Sequence, residues 1–240
     1  MTLIEQNILS AISIGLIIAV MASIKNSQLK ATVYSLPIPI TIALIATGGK
    51  VNITNIVGLF LITLFLWLVW ILHERGLGIY ASDVIAAVCY VAVGYAGVKY
   101  IKLPFYAGVF IYLVAWLVFI LAYRNRVVSE KTRVSSKINP AVKGAIVTIL
   151  AYILFSLKKY LAGIIVTFPF SGVFAVIESK HMLETLAGVF TRNSIAILMM
   201  FVTIYALGET NLVLRLAAGW AVYLVALKLV IKFAPLKKTQ

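Results

Sequence analysis

Acidic side chains are scarce in this chain: seven Asp and Glu against 21 Lys and Arg in 240 residues. With so few carboxylates, no paired acid and base for proton transfer can be picked out. Histidine is scarcer still. His73 and His181 are far apart and have no cysteine or carboxylate cluster at ligand spacing, which argues against a metal centre. Cys89 is the single cysteine, so no intramolecular disulfide can form, and inside an apolar run it reads as a small hydrophobe. Nucleophile elbow, phosphate-binding loop and dinucleotide fingerprint are all missing. The sequence therefore predicts no catalytic residue, no cofactor and no metal, and it reads as a non-enzyme.

Polar stretches long enough for a soluble domain are missing too. What fills the chain is hydrocarbon: 63% of residues are hydrophobic and 12% charged, with mean hydropathy +1.08. A soluble domain is about half apolar and a quarter charged. The apolar stretches have the length needed to cross about 30 Å of hydrocarbon. Nine spans are predicted, at roughly 7–24, 31–48, 53–72, 80–99, 103–123, 141–157, 160–178, 187–207 and 212–233. No basic stretch precedes the first run and no obvious cleavage site follows it, so it reads as a retained helix. Residues 124–140 carry Arg124, Arg126, Lys131, Arg133 and Lys137 against Glu130 alone, the composition of an exposed linker.

The net charge of +14 sits mostly between apolar runs rather than as a basic stripe interleaved with aromatics, so nucleic acid is not an expected partner. With nine alternating spans, 15 of the 21 Lys and Arg fall on the face bearing the C-terminus and 6 on the other. The positive-inside bias then puts the C-terminus in the cytoplasm and the N-terminus outside, in a plasma or inner membrane. Expected partners are the lipid bilayer and an unidentified small solute; a homo-oligomer is compatible with the sequence.

Two of the runs share a signature. Ser35-Leu36-Pro37-Ile38-Pro39 and Thr167-Phe168-Pro169-Phe170-Ser171-Gly172 put proline in the middle of membrane-length apolar runs, 132 residues apart at Pro37 and Pro169. Proline removes a backbone donor and clashes with the preceding turn, so each run is predicted to hold a kinked or broken helix. Other landmarks recur at similar offsets: Ser23-Ile24-Lys25 with Ser156-Leu157-Lys158, Gly58-Leu59-Phe60 with Gly188-Val189-Phe190, and Tyr90 and Lys99 with Tyr223 and Lys232. Spans one to four thus match spans six to nine. A four-span unit starts and ends on one side, and span five carries the chain across before the second copy. The copies then run in opposite directions. The expected fold is an all-α integral membrane protein of inverted 4+1+4 design, a first repeat over 1–102, a linking helix and basic loop over 103–140, and a second repeat over 141–240.

The second copy reads Lys159-Tyr160-Leu161-Ala162-Gly163, then Thr167-Phe168-Pro169, then Phe174-Ala175-Val176-Ile177. It resembles the GlpM-like small bacterial inner-membrane proteins, which have about four spans and a similar basic-aromatic-Ala-Gly lead into a Phe-Pro helix. The resemblance is clearest over roughly 140–232 and implies two such units fused through an extra helix. The first copy departs from it, with Leu36 before the proline and Pro39 as an extra proline.

Paired helix breaks in matching halves point to a transporter-type site near the midplane. The candidate substrate-binding residues are Ser35, Pro37, Pro39, Thr167, Pro169 and Arg192. The prolines would shape a cavity; Ser35, Thr41, Thr167 and Ser171 could bond a ligand or, the commoner use, the carbonyls the breaks set free. Arg192 either opens the membrane helix after an amphipathic segment, the favoured reading, or faces a polar cavity with Glu184 or Glu178 as partner. Asp83 and Arg215 occupy equivalent places in the two copies and read as interfacial. Glu178, Lys180, His181 and Glu184 read as a solvated loop. Gly94 and Gly97, with Ala92 and Ala96, make a helix-packing face. Function is thus read as a small secondary transporter or permease for a small or amphipathic solute, with a non-transporting membrane scaffold for a cell-envelope pathway as the alternative.

Overall fold

The computed structural model describes residues 3–24, 36–123, 127–128, 138–233 and 237–238. They form α1 (Leu3–Ser23), α2 (Ile38–Ala46), α3 (Ile53–Glu74), α4 (Ile79–Tyr100), α5 (Phe105–Tyr123), α6 (Pro140–Ser156), α7 (Lys158–Leu161), a 3₁₀ segment (Ala162–Thr167), α8 (Gly172–Glu178), α9 (Leu183–Ala206) and α10 (Leu212–Phe233). A two-residue parallel bridge joins Val127–Val128 to Lys237–Lys238, bringing together the chain beyond α5 and the chain beyond α10. Among the described residues six helices, α1, α3, α4, α5, α9 and α10, are long and apolar enough to cross a bilayer. The protein is all-helical in architecture and multi-pass in character.

Local chemistry sets several boundaries. Asn52 caps α3: its side chain accepts from the Thr54 amide at 2.9 Å, and the Asn55 side chain accepts from the Asn52 amide at 2.8 Å. Asn139 caps α6, and Pro140 stands where its missing N–H costs nothing. Gly49, at φ 69°, ends the turn after α2 in a conformation that side chains rarely adopt.

Contacts fix the helix directions. α1 and α6 run antiparallel: Asn7 reaches the Phe155 carbonyl, and Gly15 meets Gly144 further along. A Cβ on Gly15 would lie 2.6 Å from the Gly144 carbonyl oxygen, and one on Gly144 2.7 Å from the Gly15 carbonyl oxygen. Nothing larger than hydrogen fits between these backbones. α3 and α4 are antiparallel, with Gly94 against Leu61 and Gly97 against Val57; of the expected packing face, Ala92 is exposed instead. α5 runs parallel to α3: Gly108 sits on Ile53, Tyr112 edges Phe60, and Phe119 and Tyr123 edge Trp67. α9 runs antiparallel to α5, from Tyr123 beside Glu184 to Phe105 stacked 3.9 Å from Tyr205. α10 packs along α9, Gly219 seating on Ile204 and Met200.

Two expected spans are not continuous helices. Within 31–48 the described helix is α2 alone, nine residues or about 14 Å, too short for a bilayer. Within 160–178 the chain passes through α7, the 3₁₀ segment and a break before α8, a helix of seven residues. Cys89, read as a small hydrophobe, is exposed on α4.

Candidate functional site

The interruption around Pro169 has an identifiable local cause. Pro169 has no N–H for the Ile165 carbonyl, which instead accepts from the Phe168 amide at 3.1 Å in a tighter turn. The β-branched run Ile164 to Thr167 resists helical χ1 packing in the same place. The freed backbone is met from neighbouring helices. The Gly163 amide donates to Thr54 Oγ1 at 2.8 Å, and Asn55 Nδ2 donates to the Gly163 carbonyl at 3.3 Å. Tyr90 donates to the Ile164 carbonyl at 2.8 Å, Thr167 donates to the same oxygen at 3.1 Å, and the two hydroxyls are 2.9 Å apart. Asn55 and Thr167 are fully buried. This is how non-helical backbone is tolerated at membrane depth.

At the counterpart prolines the described chain starts a helix. Pro37 and Pro39 are buried at the start of α2, and Thr41 donates to the Pro37 carbonyl at 2.8 Å while accepting from Trp220 Nε1 at 3.0 Å. Ser35 lies outside the described residues. At the far end of α2, Lys158 Nζ is 3.0 Å from Asn7 Oδ1 and 3.5 Å from the Ala46 carbonyl, and Arg215 Nη1 donates to the Gly49 carbonyl at 3.2 Å. Cations at a helix C-terminus match its dipole. Thus Pro37 and Pro39 are buried at the start of α2, and Thr167 and Pro169 at the interruption before α8, with the Thr41 and Thr167 hydroxyls bonded to backbone.

Arg192 sits within a continuous helix: α9 runs unbroken from Leu183, and Arg192 is its tenth residue. Its side chain is half-buried, with Nε donating to Asn193 Oδ1 at 2.9 Å; neither Glu178 nor Glu184 pairs with it. The polar neighbours Thr191 and Ser194 turn the other way, to Trp67 Nε1 and the Tyr112 hydroxyl. Asp83 and Arg215 do not meet; Asp83 is buried with Oδ1 unpartnered.

One ion pair escaped sequence reasoning. Lys143, on the first turn of α6, donates to Glu178 at the end of α8, and their side chains are only 2% and 1% exposed. Lys143 had counted as a face-marking charge and Glu178 as part of a solvated loop; Lys180 and His181 beyond it are exposed as expected. With seven acids in the chain, the signal was that each one warrants a search for its partner.

An apolar groove of about 510 Å³ opens between α3, α4 and α5, lined among others by Ile53, Phe60, Val93, Gly97, Tyr100 and Gly108. Its walls offer nothing to orient a polar solute. Comparison with protein-family models, with curated proteins and with solved structures gives no match.

Proposed function

We propose that this protein is a small secondary transporter built as two inverted four-span units around span five, its solute path passing the two proline breaks. The observation that carries this reading is the pair of short, buried helices α2 and α8. Each follows its proline, and they end at Ala46 and Glu178, 132 residues apart, the spacing of the prolines themselves. Discontinuous helices at corresponding places of two repeats are the recurrent design of secondary transporters. The helix directions are compatible with nine alternating crossings: α1 and α3 begin at the same end, where Lys158 meets Asn7 and Ala46, and so run the same way. α6 and α9 likewise run in one direction, which supports reading 157–182 as a crossing.

The α1–α6 contact supports the two-fold relation. Gly15 faces the carbonyl of Gly144 and Gly144 that of Gly15, so the first helices of the two units cross antiparallel at close range, as inverted units would. On this reading each half is a GlpM-like unit, with the N-terminus outside and the C-terminus cytoplasmic. Pro37, Pro39 and Pro169 shape the path, Ser35 and Thr167 are the candidate contacts, and Arg192 is the candidate charge.

A scaffold role is the second reading, favoured by one observation: the Thr41 and Thr167 hydroxyls are already spent on backbone carbonyls. Thiol accessibility separates the two. In a Cys89→Ala background, Ser35→Cys and Thr167→Cys are expected to react with a membrane-impermeant maleimide, and Pro169→Ala to change the rate at position 167. Silence at both positions, with a surface cysteine labelled in parallel, would leave the scaffold.

A further inference from the structure

A cation held at bilayer depth needs a counter-charge or a hydrogen-bonding cradle. Among the described Lys and Arg side chains that are not exposed, Lys143 has Glu178, Lys158 has Asn7 and the Ala46 carbonyl, and Arg215 has the Gly49 carbonyl, although its buried Nε is unpartnered; each of these partners comes from another element. Arg192 has no partner from another element. Its side chain is bonded to one neutral amide, and among the described residues no carboxylate reaches it.

The depth of Arg192 follows from α5. Trp116 Nε1 donates to the Arg192 carbonyl at 3.0 Å, so the two residues are level. Trp116 stands seven residues before the end of the uncharged 19-residue α5, about 10 Å inside it. Because Nε is taken by Asn193, both terminal amino groups of the guanidinium remain for a planar, two-oxygen partner. The side chain is also only partly covered, on a helix whose residues stay buried or half-buried from Leu183 to Ile204.

We infer that Arg192 is the binding point for an oxyanion, a carboxylate or phosphate group, carried by the solute or by a lipid headgroup. Calling that anion the cargo rests on the transporter reading; the binding itself does not.

The test uses full-length protein in nanodiscs, with melting temperature and tryptophan emission as readouts, since Trp116 bonds the Arg192 carbonyl. In phosphatidylcholine alone, inorganic phosphate is expected to give a saturable response that chloride at equal ionic strength does not. Arg192→Gln should weaken it at least about tenfold, and Arg192→Lys, which keeps charge but loses the fork, should fall between. A response seen only when phosphatidylglycerol is included, and lost in Arg192→Gln, assigns the headgroup as the anion. No response of the wild type to either source, or an equal response of Arg192→Gln, overturns the site. Without anion, Arg192→Gln should melt no lower than wild type, because it removes an uncompensated charge; a lower value would make the arginine structural and overturn the inference. Phosphate binding with unreactive cysteines at 35 and 167 would keep the site and remove the transporter. Labelled cysteines without phosphate binding would do the reverse.

Discussion

Lys143 and Glu178 set the energetic tone at the level of single residues. Two charges taken out of water are stabilised by each other only while both are present, and removing one leaves the other uncompensated. Lys143→Ala is therefore expected to cost about 3–5 kcal/mol, seen as a large drop in melting temperature, whereas Lys143→Met with Glu178→Leu should be near neutral. A single variant that melts like wild type would show the pair to be energetically idle. The network of Tyr90, Thr167, Asn55 and Thr54 works differently. Each member satisfies backbone that the 3₁₀ segment cannot satisfy itself, so its role is to make an interrupted helix tolerable rather than to add strength.

Elements differ in how plainly the sequence announces them. Span five was expected over 103–123 and forms Phe105–Tyr123, because an uncharged aromatic and aliphatic run bounded by Pro104 has few alternatives. The helix of span six starts at Pro140, against an expected 141, since Asn139 caps it and proline suits its first position. The break at Pro169 was legible; the extent of what surrounds it was not. One proline accounts for the local loss of a donor, but the 3₁₀ path back to Ala162 depends on partners from α3 and α4 that are more than seventy residues away. The burial of Lys143 was hidden for a similar reason: a lysine one turn into a helix looks like any interfacial charge until the opposing acid is located. Arg192 reads from sequence as a helix entry because arginine on the cytoplasmic face fits the positive-inside rule. That Trp67, Tyr112 and Trp116 bond the Thr191, Ser194 and Arg192 positions is visible only once α3 and α5 are packed on α9. At this scale the α1–α6 crossing gives a sharp prediction. Gly144→Ala puts a methyl against the Gly15 carbonyl, a backbone atom that cannot turn aside, and should destabilise by about 1–3 kcal/mol in a thermal melt. An unchanged melt would mean that the helices separate at little cost.

For the molecule as a whole, the proposed inverted arrangement requires an odd number of crossings. Reporter fusions at the two termini should therefore signal from opposite compartments, with the C-terminal one cytoplasmic. Signals from the same side would make the number even and dissolve the two-fold relation. The contact between Gly15 and Gly144 carries a mechanical consequence. Two main chains that touch without side chains between them can turn about that point, but they cannot slide along one another without first lifting apart. If the halves of this protein move, the crossing is the fulcrum, and displacement grows with distance from it like the sweep of a lever arm. A disulfide engineered across α1 and α6 near Gly15 would then leave such a motion nearly intact, while one of the same kind far from it would stop it.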